Sequence, residues 1–155
     1  MPKASEFMTA DPVTVTEDTG VQDAADILVN QPYHALPVVD ADNRLVGLVT
    51  DSDLVDRSKR VHLPTVITIL DSYIPIAGFK QFADDLRKAT ATTVGELCTR
   101  AVDFVRPEAE LDEVATLLGE HHIHTVPVLD GDDRLLGIIT NTDIIRALSG
   151  RSGGG

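Results

Sequence analysis

Apolar positions in this chain recur with two periods, and the switching between them outlines its elements. Val21, Ala24, Ala25, Ile27 and Leu28 fall at helical spacing, and Leu111, Val114, Ala115, Leu117 and Leu118 repeat the stripe. Each stripe predicts an amphipathic helix. Thr19-Gly20-Val21-Gln22 has the spacing of a capping box at the first helix's start. After each stripe comes a short apolar run, LPVVD (36–40) or VPVLD (126–130), which reads as a strand. The tetrads DADN (40–43) and DGDD (130–133) predict turns, because short polar side chains and Gly favour tight backbone reversals. A second run follows, RLVGLVT (44–50) or RLLGIIT (134–140). It is apolar nearly throughout, as expected of a strand covered on both faces. A helix is expected to open at Thr50 and again at Thr140. Ahead of each first helix, PVTV (12–15) and DFV (103–105) read as short extended pieces.

The two series are one repeat. His34/His124, Pro37/Pro127, Asp40/Asp130, Asp42/Asp132, Arg44/Arg134, Gly47/Gly137, Thr50/Thr140 and Asp53/Asp143 are identical pairs, each separated by 90 positions without a gap. The match runs backwards through Leu28/Leu118, Ala25/Ala115, Val15/Val105 and Thr9/Thr99. The expected fold is α/β (α+β), with the order β-α-β-β-α written twice. One such unit cannot bury both faces of its small sheet, so the copies should pack together through their sheets about a pseudo-twofold axis. The organisation read from the chain is repeat 1 over 8–56, a helical apolar insert over 57–96, repeat 2 over 97–149 and a flexible tail over 150–155.

The insert's first part, VHLPTVITILDSYIPIAGF, is apolar, but His62, Pro64, Asp71 and Pro75 interrupt it. No uncharged run reaches the roughly 20 residues of a bilayer crossing. It reads as a short helix, a bent segment and an amphipathic helix (80–90). It either covers one edge of the double unit or, through Leu63, Val66, Ile67, Leu70, Tyr73, Ile74 and Ile76, offers a dimer interface or docking patch.

Composition narrows the function classes. The 155 residues carry a net charge of −12, with 43% hydrophobic and 25% charged residues, so the chain is globular and not an acidic tail. Aromatics are 4% with no Trp, which leaves the core to aliphatic residues. The acidic balance argues against nucleic-acid binding. A single cysteine, Cys98, excludes an internal disulfide framework and fits a reducing, cytoplasmic setting. The opening residues contain no apolar signal-peptide core. Cys98 aligns with Met8 and reads as an apolar filler. No phosphate-binding glycine loop and no nucleophile–base series stands out, so the chain is not expected to be an enzyme.

Two copies of h-P-V-h-D followed by G-h-h-T-x-x-D (h, apolar) resemble a tandem CBS-domain pair, or Bateman module, of the kind found as small stand-alone bacterial proteins. The resemblance implies a regulatory module that binds adenosine-containing ligands in clefts between the repeats: AMP, ADP, ATP or S-adenosylmethionine. It also implies a disc-like homodimer and no required cofactor. An unidentified protein partner would read the bound state.

Under that resemblance the site residues are Thr50, Asp53, Leu36, His34 and Val15 in the first repeat, and Thr140, Asp143, Val126, His124 and Val105 in the second. Thr-x-x-Asp at a helix start is itself nearly a capping box, with the acid favoured by the helix dipole. The same carboxylate can accept both ribose hydroxyls. The two readings are compatible. The resemblance gives Asp53 and Asp143 the ribose, and Thr50 and Thr140 the ribose–phosphate junction. Adenine would lie in an apolar slot against the backbone at Leu36 and Val126, lined by Val15 and Val105. Phe104, which replaces Thr14, could stack on it or be a packing residue.

Charge separates the two sites. The first repeat has ten acids and only Arg44; the second has ten acids with Arg100, Arg106, Arg134 and Arg146. Asp51 lies inside the first Thr-x-x-Asp where the second has Asn141. The second site is therefore expected to suit AMP, ADP or ATP, and the first to be empty or to take a less anionic ligand. His121, His122 and His124 follow no zinc-finger or H-E-x-x-H spacing, so no metal is expected. They read as pocket lining or surface residues. The alternative to a ligand sensor is a dimeric scaffold that has lost nucleotide binding.

Overall fold

The computed structural model describes residues 1–56 and 92–150; the expectations for the insert's first 35 positions and for the last five residues lie outside them. Two antiparallel hairpins form the centre. The first pairs β2 (Ala35–Val39) with β3 (Leu45–Thr50), and the second pairs β4 (Thr125–Leu129) with β5 (Leu135–Thr140). Their registers are equivalent, Leu36 opposite Val49 and Val126 opposite Ile139. Both slip at the same place, between Val38 and Val39 and between Val128 and Leu129. Every residue of β2 is buried, which accounts for its unbroken apolar run.

The turns are built as the tetrads predict. Asp40 accepts the amides of Asp42 and Arg44 at 2.9 and 3.0 Å, and Asp130 accepts those of Asp132 and Arg134 at 2.8 and 3.0 Å. Asn43 and Asp133 take the left-handed conformation at φ 63° and 64°, which short Asx side chains tolerate. These bonds hold the Asp130 carboxyl below its ordinary pKa. The hairpin ends meet across the pseudo-twofold, where Leu45 donates to the Asp133 carbonyl at 3.2 Å and Leu135 to that of Asn43 at 3.0 Å. Val39, Leu129 and Leu135 form a small core there.

The helices α2 (Val21–Val29) and α5 (Leu111–Glu120) lay equivalent residues on the sheets: Val21, Ala24 and Leu28 in one, Leu111, Val114 and Leu118 in the other. The expected capping box of α2 is not formed. Gly20 is the N-cap, and the Thr19 hydroxyl instead accepts the Thr16 amide at 3.1 Å. Thr19 is thus spent on a local turn one residue outside the cap. The closing helices are α3 (Asp51–Asp56) and α6 (Asn141–Leu148), which begin directly after Thr50 and Thr140.

The repeats exchange their leading segments. α1 (Ala4–Phe7) and β1 (Thr9–Ala10) precede the first repeat but belong to the second repeat's core and sheet. Ala4 and Phe7 pack with Leu111, Val114 and Val126, and β1 pairs with β5, Thr9 opposite Ile138. The equivalent α4 (Val94–Leu97) and Thr99 serve the first repeat: Val94 packs with Ala24, Leu36 and Val49, and Thr99 exchanges backbone bonds with Leu48 at 2.8 and 2.9 Å. Val94, grouped with the insert on sequence, therefore belongs to the first repeat's core.

This crossing explains the glycine of each G-h-h-T. A Cβ on Gly47 would sit 2.5 Å from the Thr99 carbonyl oxygen, and one on Gly137 2.6 Å from that of Thr9. The leader runs directly over the glycine, leaving no room for a side chain. Cys98 and Met8 lie against the same two positions. Burial pushes the Cys98 thiol up, which suits packing and not nucleophilic attack.

Candidate functional site

Each Thr-x-x-Asp forms a reciprocal cap. In the first, the Asp53 amide donates to the Thr50 hydroxyl at 3.2 Å and the Thr50 amide to the Asp53 carboxylate at 3.0 Å. In the second, the corresponding distances are 3.4 and 2.9 Å. The leader of the opposite repeat completes both. Thr9 donates to the two oxygens of Asp143 at 3.1 and 3.2 Å, and Thr99 reaches those of Asp53 at 3.3 and 3.4 Å.

The two acids differ in surroundings. Asp143 is only 2% exposed, and Arg146 adds a contact at 3.4 Å. Its partners supply the hydrogen bonds and charge that a buried carboxylate requires. Asp53 is half-buried and has no such cation among the described residues.

A cavity of about 300 Å³ opens between the repeats on the first motif's side. Repeat 1 contributes His34, Ala35, Leu48 and the stretch Thr50–Ser52. The opposite wall is Thr99, Ala101–Asp103 and His122–Thr125. The walls are thus the start of one hairpin and closing helix, the crossing leader, and the loop between α5 and β4. A wider groove of about 530 Å³ runs on the far side of that loop, between α5 and α6, and shares His122, Ile123 and His124 with the cavity.

The structure brings together some of the expected residues. Thr50, His34 and His124 line the cavity, and Asp53 lies behind Thr50, bonded to Thr50 and Thr99. Leu36 and Val126 are fully buried in the two cores; Ala35 and Thr125, one position earlier, face the cavity instead. Strand alternation turns neighbours to opposite sides, and the predicted pair is the inward one. Val15 lies in the first core and Val105 packs against the second, each bridging to the middle of a hairpin at Val38 or Val128. Thr140 and Asp143 sit at the pseudo-equivalent position, where the second motif's Asn141 bonds His124 at 3.0 Å. Phe104 is 43% exposed, with the Arg106 guanidinium 4.9 Å from its ring centre.

Two cavity residues carry negative charge. Asp51 is an exposed carboxylate 3.9 Å from His34, and Asp103 is bonded to His121 at 2.7 Å. That bond raises the His121 pKa from 6.5. Asp103 and the leader wall were not among the residues expected from sequence. For the leader wall the signal was present in the 90-residue offset, which continues through Glu6/Glu96 to Ala4/Val94.

The CBS domain family matches the chain twice, at residues 4–60 and 94–150. Both matches include the crossing leaders. The chloroplastic CBS domain-containing protein CBSX1 of Arabidopsis thaliana is 32% identical over 152 residues, which is 92% of this chain and 62% of that protein. A crystal structure of CBSX2 in complex with AMP superposes with a TM-score of 0.72 at 30% identity, covering 97% of this chain and 98% of that one. The CBS domain pair of protein MJ0100, in complex with 5′-methylthioadenosine and S-adenosyl-L-methionine, gives 0.68 at 25% identity, covering 97% and 98%.

Proposed function

Because this chain belongs to the CBS-domain family, we propose that it is a non-catalytic regulatory module binding an adenosine-containing ligand between its repeats. The cavity beside Thr50 carries the reading, since both repeats and a crossing leader build its walls. The complexes of CBSX2 with AMP and of the MJ0100 pair with methylthioadenosine and S-adenosylmethionine support the ligand class. Asp53 takes the ribose and Thr50 the adjoining ribose–phosphate region, with adenine against the hairpin start at His34, Ala35 and the backbone beside Leu36. Asp143, Thr140, Val126, His124 and Val105 hold the same roles at the pseudo-equivalent position.

Regulation follows from the walls. A ligand touching both repeats favours whichever relative arrangement of them it fits best, and shifts the population towards it. A second copy of the chain or another protein reads that shift.

The experiment is calorimetric titration of the protein with AMP, ADP, ATP and S-adenosylmethionine, with a thermal melt in parallel. A ligand at 100 times its Kd is expected to stabilise the fold by about 2.7 kcal/mol. Asp53→Asn is the better probe, because Asp143→Ala would strip a buried cap and unfold the site it tests. Loss of binding in Asp53→Asn with an unchanged melt of the free protein supports the site. Binding unaffected by that substitution refutes the ribose assignment. Failure of all four compounds would leave a scaffold role.

A further inference from the structure

We infer that the cavity selects adenosine ligands by charge, with Asp51 and Asp103 favouring a cationic adenosine, such as a sulfonium, over a nucleotide phosphate. The inference rests on the adenosine-binding reading and names the ligand class within it. Both residues line the cavity, from opposite walls, Asp51 at the start of α3 and Asp103 beyond the crossing leader. No Lys or Arg lines it among the described residues.

The pseudo-equivalent position shows that neither charge is required by the fold. The 90-residue offset puts Asn141 in place of Asp51 and Val13 in place of Asp103. Asn141 supports the same kind of helix start, and Val13 follows the first leader as Asp103 follows the second. Neither acid holds up its surroundings: the side chains are 62% and 43% exposed, and their ion-pair partners are the solvent-facing His34 and His121. Two carboxylates facing one bound molecule raise the energy of an added phosphate and lower that of a cation, more strongly once water is displaced. Hydroxyls and an adenine amine are acceptable to them, since an ionised carboxylate accepts hydrogen bonds from both.

The test is calorimetry on the full chain at pH 8 with S-adenosylmethionine, its uncharged thioether S-adenosylhomocysteine, AMP and ATP. The methyl sulfonium is expected to bind about tenfold more tightly than the thioether, with ATP weakest. Raising the salt should narrow the difference. In Asp51→Asn/Asp103→Asn the ratio of S-adenosylmethionine to AMP affinity should fall by about tenfold. The ranking and its salt dependence at the site that Asp53→Asn abolishes do not use the double substitution, so the inference stands or falls even if that variant misfolds. At the binding event that Asp53→Asn abolishes, AMP or ATP binding more tightly than S-adenosylmethionine, or a ratio unmoved by the double substitution in a folded protein, overturns selection by charge and leaves adenosine binding intact. Failure of every compound overturns both.

Discussion

Thr9 donates its hydroxyl to both oxygens of Asp143, a residue 134 positions away in the other repeat. Thr99 does the same for Asp53, 46 positions away. Each candidate ribose acid is therefore held by its own helix cap and by a leader from the opposite repeat.

The two contacts should differ in strength. Thr9→Val leaves a buried carboxylate short of a donor and is expected to cost about 1.5–3 kcal/mol, the range for hydrogen bonds to charged groups. Thr99→Val acts on a half-buried acid that water can reach, and should cost less than about 1.5 kcal/mol. Urea unfolding of both variants measures the difference. Equal losses would show that the burial of Asp143 does not strengthen its contact with the leader.

Glycines in the chain should respond oppositely to the same substitution. Gly47→Ala and Gly137→Ala push a methyl group into a leader carbonyl, and overpacking of this kind costs about 1–3 kcal/mol. Gly119→Ala, on α5 with nothing within 4 Å of the new Cβ, should stabilise the protein by up to about 1 kcal/mol through helix propensity. Melting temperatures check the signs. Amide exchange at Leu48 should quicken in Gly47→Ala, since that amide bonds the displaced strand.

The His121–Asp103 pair gives a pH dependence of defined sign. The Asp103 hydrogen bond raises the His121 pKa above 6.5, so folding favours the protonated ring. Its stabilising contribution is complete below about pH 6.5 and is lost as the pH rises through the higher folded value. NMR titration of the ring should find a midpoint above 6.5 that returns towards it in Asp103→Asn. A wild-type midpoint at or below 6.5 would show that the pair does not form in solution.

Much of the architecture was legible because duplication wrote it twice. The stripes at Val21–Leu28 and Leu111–Leu118, the Asx turns and the helices opening after Thr50 and Thr140 all depend on local spacing, and each was read correctly. Leader exchange was not legible. Ala4, Phe7 and Val94 have the composition of core residues, but composition does not say which of two similar cores receives them. Leu36 shows another limit. The X-Pro step locates a strand, yet the face each side chain takes depends on what packs against it, and Leu36 is buried in the core while its neighbour Ala35 lines the cavity. Asp103 has the uncharged Val13 as its counterpart, so matching identical residues passed over it.

The crossed leaders make the halves of this chain interdependent in synthesis as well as in shape. A ribosome that has released only residues 1–56 has made a helix and strand whose berth does not yet exist, and the first core is still waiting for Val94. Severed and expressed separately, each half would hold the other's missing wall. Mixed together, they would be expected to reconstitute by trading those walls back.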